Sequence, residues 1–252
     1  MSFLQGLVSN DVTAAAPGRA AWAAFLTPQG KYLADFFIFS DGERFLLDVE
    51  RLQLTGLVQR LNRFRLRSKV TVCAREELLV YVAWGDEAPG EAAVTAADPR
   101  LPAAGWRLIA RQALPTNAST EEWDRHRLSL GLPDGTRDLE PDKTILLEAG
   151  FDELNGISWT KGCYMGQELT ARTKYRGLVK RRLMPVVVEG PMPKPGSAVM
   201  RGDVEVGTMR SGRDALGLAV LRLDTLDAVL TSDGARLTPR VPPWMRLAEH
   251  AN

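Results

Sequence analysis

The chain has 252 residues, 45% hydrophobic and 25% charged, which are the proportions of an ordinary globular protein with enough chain for a sizeable core. Its 32 Lys and Arg balance 31 Asp and Glu, and a net charge of +1 excludes a general nucleic-acid coat or a polybasic membrane binder while leaving room for a local basic patch. Two cysteines, Cys73 and Cys163, exclude a disulfide framework; with His126 and His250 far apart in sequence, no zinc spacing exists and soft ligands are too few to hold an iron–sulfur cluster alone.

In chain order, the opening "MSFLQGLVSNDV" has neither the charged start of a signal peptide nor the Arg-rich, acid-free pattern of a transit peptide. No run of about 18 apolar residues occurs, so no membrane span is expected. Free cysteines suit a reducing compartment, and the expected location is cytoplasmic. "YLADFFIF", "SDGE" and "RFLLDVE" read as strand, turn and strand, with Asp41-Gly42 as the turn chemistry. In "RLQLTGLVQRLNRFRLR", Leu54, Leu57, Val58, Leu61 and Phe64 fall at helical spacing, which predicts an amphipathic helix with an arginine-rich outer face. "KVTVC" and "ELLVYVAW" read as strands, residues 85–104 as loop, and "GWRLIAR" as a strand. "STEEWDRHRLSLG" begins with capping residues and ends on Gly131, so it reads as a helix.

The segment "LPDGTRDLEPDKTILLEAGFDELNG" lacks periodicity and reads as a long ordered loop, a class that often carries function. "GQELTARTKYRG" reads as a short helix stopped at Gly177. Beyond it, short β-rich runs separated by Pro and Gly predict a small barrel. A domain boundary is expected near residue 178, dividing 1–178 from 179–252.

Between the long loop and the short helix stands "TKGCYMGQE", residues 160–168. Lys161 lies two residues before Cys163, and Arg172, Lys174, Arg176 and Lys180 follow. Cationic neighbours and helix N-termini favour the reactive thiolate form of a cysteine, and Gly162 and Gly166 permit close backbone approach. A small buried residue in a glycine-rich turn is the other reading. Cys73, inside an apparent strand, reads as core. A Cys–His pair would need His126 or His250 brought close, and nothing local requires it. No phosphate-binding, dinucleotide-binding or zinc-protease motif is present.

"KGCYMGQE" resembles the K-G-C-Y-x-G-Q-E signature of YgfZ-type folate-binding proteins, relatives of the glycine cleavage T-protein. "FLQGLVSNDVT", "AFLTPQGKYLADFFIF", "RLNRFRLRSKVTV", "NGISWTKGCYMGQELTAR" and "RGLVKRRL" extend the resemblance over most of residues 3–225. It implies an α+β fold: two intertwined α+β subdomains and a C-terminal small β-barrel around a central folate-binding cavity. It implies tetrahydrofolate or a derivative as cofactor, and a role in assembling or maintaining [4Fe–4S] enzymes, tRNA-modifying enzymes included.

The implied partners are iron–sulfur enzymes or cluster-assembly proteins, without stable nucleic-acid or membrane binding. Cys163 corresponds to the family's key residue and Lys161 to its partner, within a motif completed by Gly162, Tyr164, Gly166, Gln167 and Glu168. Trp123 corresponds by position to a folate-associated tryptophan, with a core plug as the other reading. Asp35 is a candidate pterin contact or a structural strand residue. Arg172 and Lys174 are candidates for the folate glutamate tail, or a solvated helix face.

The chain departs from the T-protein pattern at Ser129, in place of a glutamate, and at Ala34-Asp35, in place of an Asp-Asp pair. An accessory factor is therefore expected ahead of a classical enzyme. The alternatives are a tetrahydrofolate-dependent aminomethyltransferase and an interaction scaffold with an unreactive cysteine.

Overall fold

The structure is a computed structural model describing residues 2–85, 88–90 and 92–247, so His250 lies outside the described residues. The chain forms two compact units, each built from two separate stretches: Met1–Asn117 with Leu154–Gln167, and Ala118–Glu153 with Glu168–Asn252.

The first unit opens with a single helical turn, α1 (Ser2–Gln5), and an antiparallel sheet of β1 (Ala21–Leu26), β2 (Tyr32–Ser40) and β3 (Phe45–Val49), with β2 central. β2 is buried on both faces from Tyr32 to Phe39, which explains its nearly continuous apolar run. Asp41 builds the expected turn: its carboxylate accepts the amides of Glu43 at 3.1 Å and Arg44 at 2.9 Å and pairs with the Arg44 side chain at 2.7 Å. α2 (Leu54–Arg65) buries Leu57 and Leu61 and leaves Arg60, Arg63 and Arg65 exposed. A second antiparallel sheet orders β4 (Leu79–Ala83), β6 (Trp106–Ala110) and β5 (Val94–Ala97), with β6 central.

Two expectations for this unit need correction, and one strand has no sequence signal. β1 has none because "AWAAFL" is alanine-rich and does not alternate; all six residues are buried, so neither face carries a polar signal. β5 lies inside the stretch expected to be loop. Residues 70–73 form no strand, and Cys73 is exposed rather than core. The alternation survives there: Val70 and Val72 are half-buried, while Thr71 and Cys73 face outward.

In the second unit, α3 (Thr120–Leu130) starts with a full capping box: Ser119 Oγ accepts the Glu122 amide and the Glu122 carboxylate accepts the Ser119 amide. It ends on Gly131 in the left-handed conformation. After one turn, α4 (Gly135–Asp138), the chain runs irregularly to residue 153. Leu139, Leu146, Leu147 and Phe151 are buried along it, so apolar anchors rather than repeating hydrogen bonds order this loop.

α5 (Gln167–Tyr175) leads into β7 (Arg181–Glu189), β8 (Ala198–Arg201), β9 (Val204–Arg213), β10 (Leu216–Arg222), β11 (Leu230–Ser232) and β12 (Ala235–Pro239). These close into a barrel in the order β10-β7-β12-β11-β8-β9 around Met184, Val186, Val199, Met209, Leu221 and Leu237. β7 is buried on both faces from Arg182 to Val186, because residues 118–153 cover its outer side: the Leu183 amide donates to the Glu148 carbonyl at 2.8 Å.

The α+β class with a small C-terminal barrel is as the sequence leads one to expect. Among the described residues no helix is long and apolar enough to cross a membrane.

Candidate functional site

The motif loop belongs to the first unit, where residues 154–167 return to lie along residues 5–10. Ser9 Oγ donates to the Gly156 carbonyl at 2.6 Å, the Ser158 amide to the Ser9 carbonyl at 3.0 Å, and the Met165 amide to the Gly6 carbonyl at 3.1 Å. Lys161 closes the seam, its Nζ donating to the carbonyls of Gln5 at 2.5 Å and Val8 at 2.6 Å. Gln5 ends α1, and the ammonium supplies the partner that a helix-terminal carbonyl lacks. The same Nζ lies 5.1 Å from the centre of the Tyr164 ring, a cation–π distance. Burial pulls the Lys161 pKa down to about 8, against the opposing pull of Asp11.

Tyr164 is buried, and its amide donates to Gln167 Oε1 at 3.3 Å. Gly166 has φ +81°, and a Cβ there would meet the Thr27 carbonyl oxygen at 2.5 Å and Gly30 Cα at 2.9 Å, so only glycine fits. Gly162, at φ +91°, has open space around it. Between these anchored neighbours Cys163 is exposed, which removes the buried-turn reading. α5 begins at Gln167, so Cys163 precedes its first turn; the Gly166 backbone prevents the helix from reaching further back.

The other candidates each have their own surroundings. Asp35 is buried in the first sheet, accepting from Trp22 Nε1 at 2.9 Å and Tyr32 Oη at 2.8 Å. Burial and the adjacent Asp35 carboxylate push the Tyr32 phenol well above its ordinary range. In the second unit, Trp123 is half-buried on α3 with its ring 5.8 Å from that of His126. Ser129 turns its hydroxyl inward to the His126 carbonyl at 2.7 Å. On α5, Arg172 pairs with Glu168, and Lys174 pairs with Asp152 at 3.0 Å.

Lys161, Tyr164, Gly166 and Gln167 thus work together to hold one exposed thiol. Sequence reasoning missed Gln5, Gly6 and Val8, which anchor that loop through main-chain groups; backbone acceptors leave no side-chain signal. For a folate, Asp35 is a poor fit, since it is buried inside the sheet between Trp22 and Tyr32. Arg172 fits better, because its exposed pair with Glu168 is weak and exchanges readily, whereas Lys174 is half-buried against Asp152. Among the described residues no group of three or more His, Cys, Asp or Glu is placed to hold a metal ion.

The chain is 35% identical to the human protein named "Iron-sulfur cluster assembly factor IBA57, mitochondrial", over 96% of this chain and 79% of that one. The mouse protein of the same name is 34% identical over the same shares. The chain belongs to the IBA57 family.

Residues 180–247, which hold the barrel, match the family described as "CAF17, C-terminal beta-barrel domain". Among solved structures, the glycine cleavage system aminomethyltransferase T from Bartonella henselae superposes with a TM-score of 0.73 over 97% of this chain and 81% of that one, at 14% identity, a likeness of fold. The cytoplasmic expectation is overturned: these IBA57 relatives are named as mitochondrial proteins. A compartment is not written into the composition of a folded core, which obeys the same packing rules on either side of an organelle membrane.

Proposed function

We propose that this chain is a folate-binding accessory protein for the assembly or maintenance of [4Fe–4S] enzymes, tRNA-modifying enzymes among them, acting through Cys163. The observation that carries the reading is the exposed Cys163 thiol on a loop pinned by Lys161, in a chain whose relatives are named iron–sulfur cluster assembly factors. One thiol cannot hold a cluster, so Cys163 acts on a cluster whose remaining ligands belong to another protein. Tetrahydrofolate or a derivative is the proposed cofactor, with Trp123, Arg172 and Lys174 as the residues to hold it and Asp35 assigned to the fold. The signature shared with YgfZ-type proteins supports this.

The test is a deletion strain assayed for several [4Fe–4S] enzymes and complemented with Cys163→Ala. The variant should fold normally and fail to restore them; full rescue would overturn the thiol mechanism. Reduced folate should quench tryptophan fluorescence, less so in Trp123→Ala, and unchanged binding to that variant removes Trp123 from the site. The shared aminomethyltransferase fold favours a second reading, a tetrahydrofolate-dependent one-carbon transferase. Loss of glycine cleavage in the deletion strain would promote it.

A further inference from the structure

Between Glu50 and Glu76 the sequence contains no acidic residue. In a chain of net charge +1, Arg51, Arg60, Arg63, Arg65, Arg67 and Lys69 stand together here, all exposed, on α2 and the segment around it. Among the described residues none of the six pairs with a carboxylate, although arginines elsewhere in the chain mostly do.

Large apolar side chains lie among these cations. Leu52 is 86% exposed and Leu66 87%, the highest values for any large apolar residue described, and Phe64 is 41% exposed. Leu66 also has φ +41°, a backbone conformation that costs an L-residue free energy and buries nothing in return. Folding therefore gives no reason for the leucines, and among the six cations only Arg65 makes a side-chain hydrogen bond, to the Val70 carbonyl at 3.3 Å.

The patch shares its support with the thiol loop. Phe64 packs edge-on against Phe25 with ring centres 5.9 Å apart, and Met165, two residues after Cys163, packs on the same apolar cluster, which includes Phe25, Leu57 and Leu61.

We infer that the exposed face of α2 and its C-terminal turn is the docking surface for an acidic protein that carries apolar sockets for Leu52 and Leu66. This rests on the reading that Cys163 serves a cluster held by another protein, and it supplies the chemistry by which that protein is recognised. Exposed arginines attract carboxylates at a distance and orient the encounter, while buried leucines supply the lasting contact.

A protein is favoured over the other polyanions. The two leucines lie at opposite ends of a helix about 18 Å long with arginines between them, a spacing that suits two separate sockets. A helix that lies on a bilayer buries its apolar face there, and α2 already spends that face, Leu57 and Leu61, on the core. Nucleic acid could use the arginines and Phe64 but would leave the aliphatic Leu52 and Leu66 without a partner, whereas a protein covers all of them.

The experiment places a photoreactive benzophenone amino acid at position 66, and separately at the exposed barrel residue Val204, in the full chain expressed in cells. An adduct to an acidic iron–sulfur protein from position 66 and not from 204 is the expected result. An adduct to RNA or lipid, or none, overturns the inference. The crosslinked protein is then purified as the probe and titrated with variants.

Reversing Arg63, Arg65 and Arg67 to Glu should weaken binding at least about tenfold at low salt, the product of three exposed pairs of ordinary strength, with the loss fading as salt rises. Leu66→Asp should weaken it in all salt. Unchanged affinity in both variants overturns the inference. Val204→Asp on the barrel should bind within about threefold of the parent, because that residue is not part of the docking face. A Cys163→Ala variant that restores [4Fe–4S] enzymes while the arginine reversals still abolish binding would leave the docking surface standing and remove the thiol mechanism.

Discussion

Gly166 and Gly162 both take left-handed conformations beside Cys163, yet only Gly166 has backbone pressed against the missing side chain. Alanine at 166 adds a steric clash to the backbone penalty and should cost about 3 kcal/mol. Alanine at 162 should cost about 1 kcal/mol, the backbone penalty alone. Urea midpoints for the two variants decide the matter, and equal losses would show that the Thr27 contact relaxes freely. Lys161 allows a pH test. Its native pKa is lowered to about 8 from 10.5, so as pH rises the folded state loses this proton before the unfolded state does. The contribution of Lys161 to stability should therefore increase between pH 8 and pH 10.5. For a half-exposed group the gain should be about 1 kcal/mol after allowing for solvent screening. Subtracting the Lys161→Met profile isolates it, and a flat difference would show that the two carbonyl contacts keep the ammonium charged.

At the scale of elements, α3 combines a legible start with a hidden core. The Ser119 cap could be read from sequence, and Ser119→Ala should cost about 1 kcal/mol, measured by thermal unfolding. Arg127 could not. Its buried guanidinium bonds Asp124 at 2.7 Å, Asp138 at 2.5 Å and Ser211 Oγ at 2.7 Å, tying α3, α4 and β9 together. Arg127→Met should cost about 3 kcal/mol because it leaves the buried Asp138 without a cation, while Asp124 keeps Arg137 and Arg213. Burial alone would raise the Asp124 pKa, but Arg137, Arg127 and Arg213 hold it well below the usual carboxylate range. That stability is present above the unfolded carboxylate pKa and is lost as pH falls toward the folded one. Acid unfolding of Arg127→Met should therefore begin at higher pH than in the parent, and an unshifted onset would count against the network.

At the scale of the molecule, neither unit is a continuous stretch of chain. Ala118–Glu153 rests on the barrel through the hydrogen bond from the Leu183 amide to the Glu148 carbonyl, the Arg182–Glu153 pair at 2.8 Å and the Asp138 contacts with Ser211. A fragment of residues 1–178 keeps both stretches of the first unit and loses the barrel. Amide exchange in that fragment should leave β2 protected while residues 118–153 exchange freely. Protection of 118–153 without the barrel would show that this stretch folds on its own.

The sequence by itself determined the features whose physics is local: the Asp41-Gly42 turn, the capped α3, the amphipathic α2, the run of short barrel strands, and the motif around Cys163. Each is set by neighbours within a few residues, so pattern and turn chemistry suffice. The α+β class follows from features of this kind, while the IBA57 family was decided by likeness along nearly the whole chain. Only the tertiary structure decided that Cys73 faces outward, that alanine-rich β1 is a fully buried strand, and that Asp35 spends its carboxylate on Trp22 and Tyr32. It alone paired Lys161 with carbonyls 153 and 156 residues away. Those outcomes depend on which surfaces meet across the fold, and that choice is made by burial of the whole core, which no local window of sequence records.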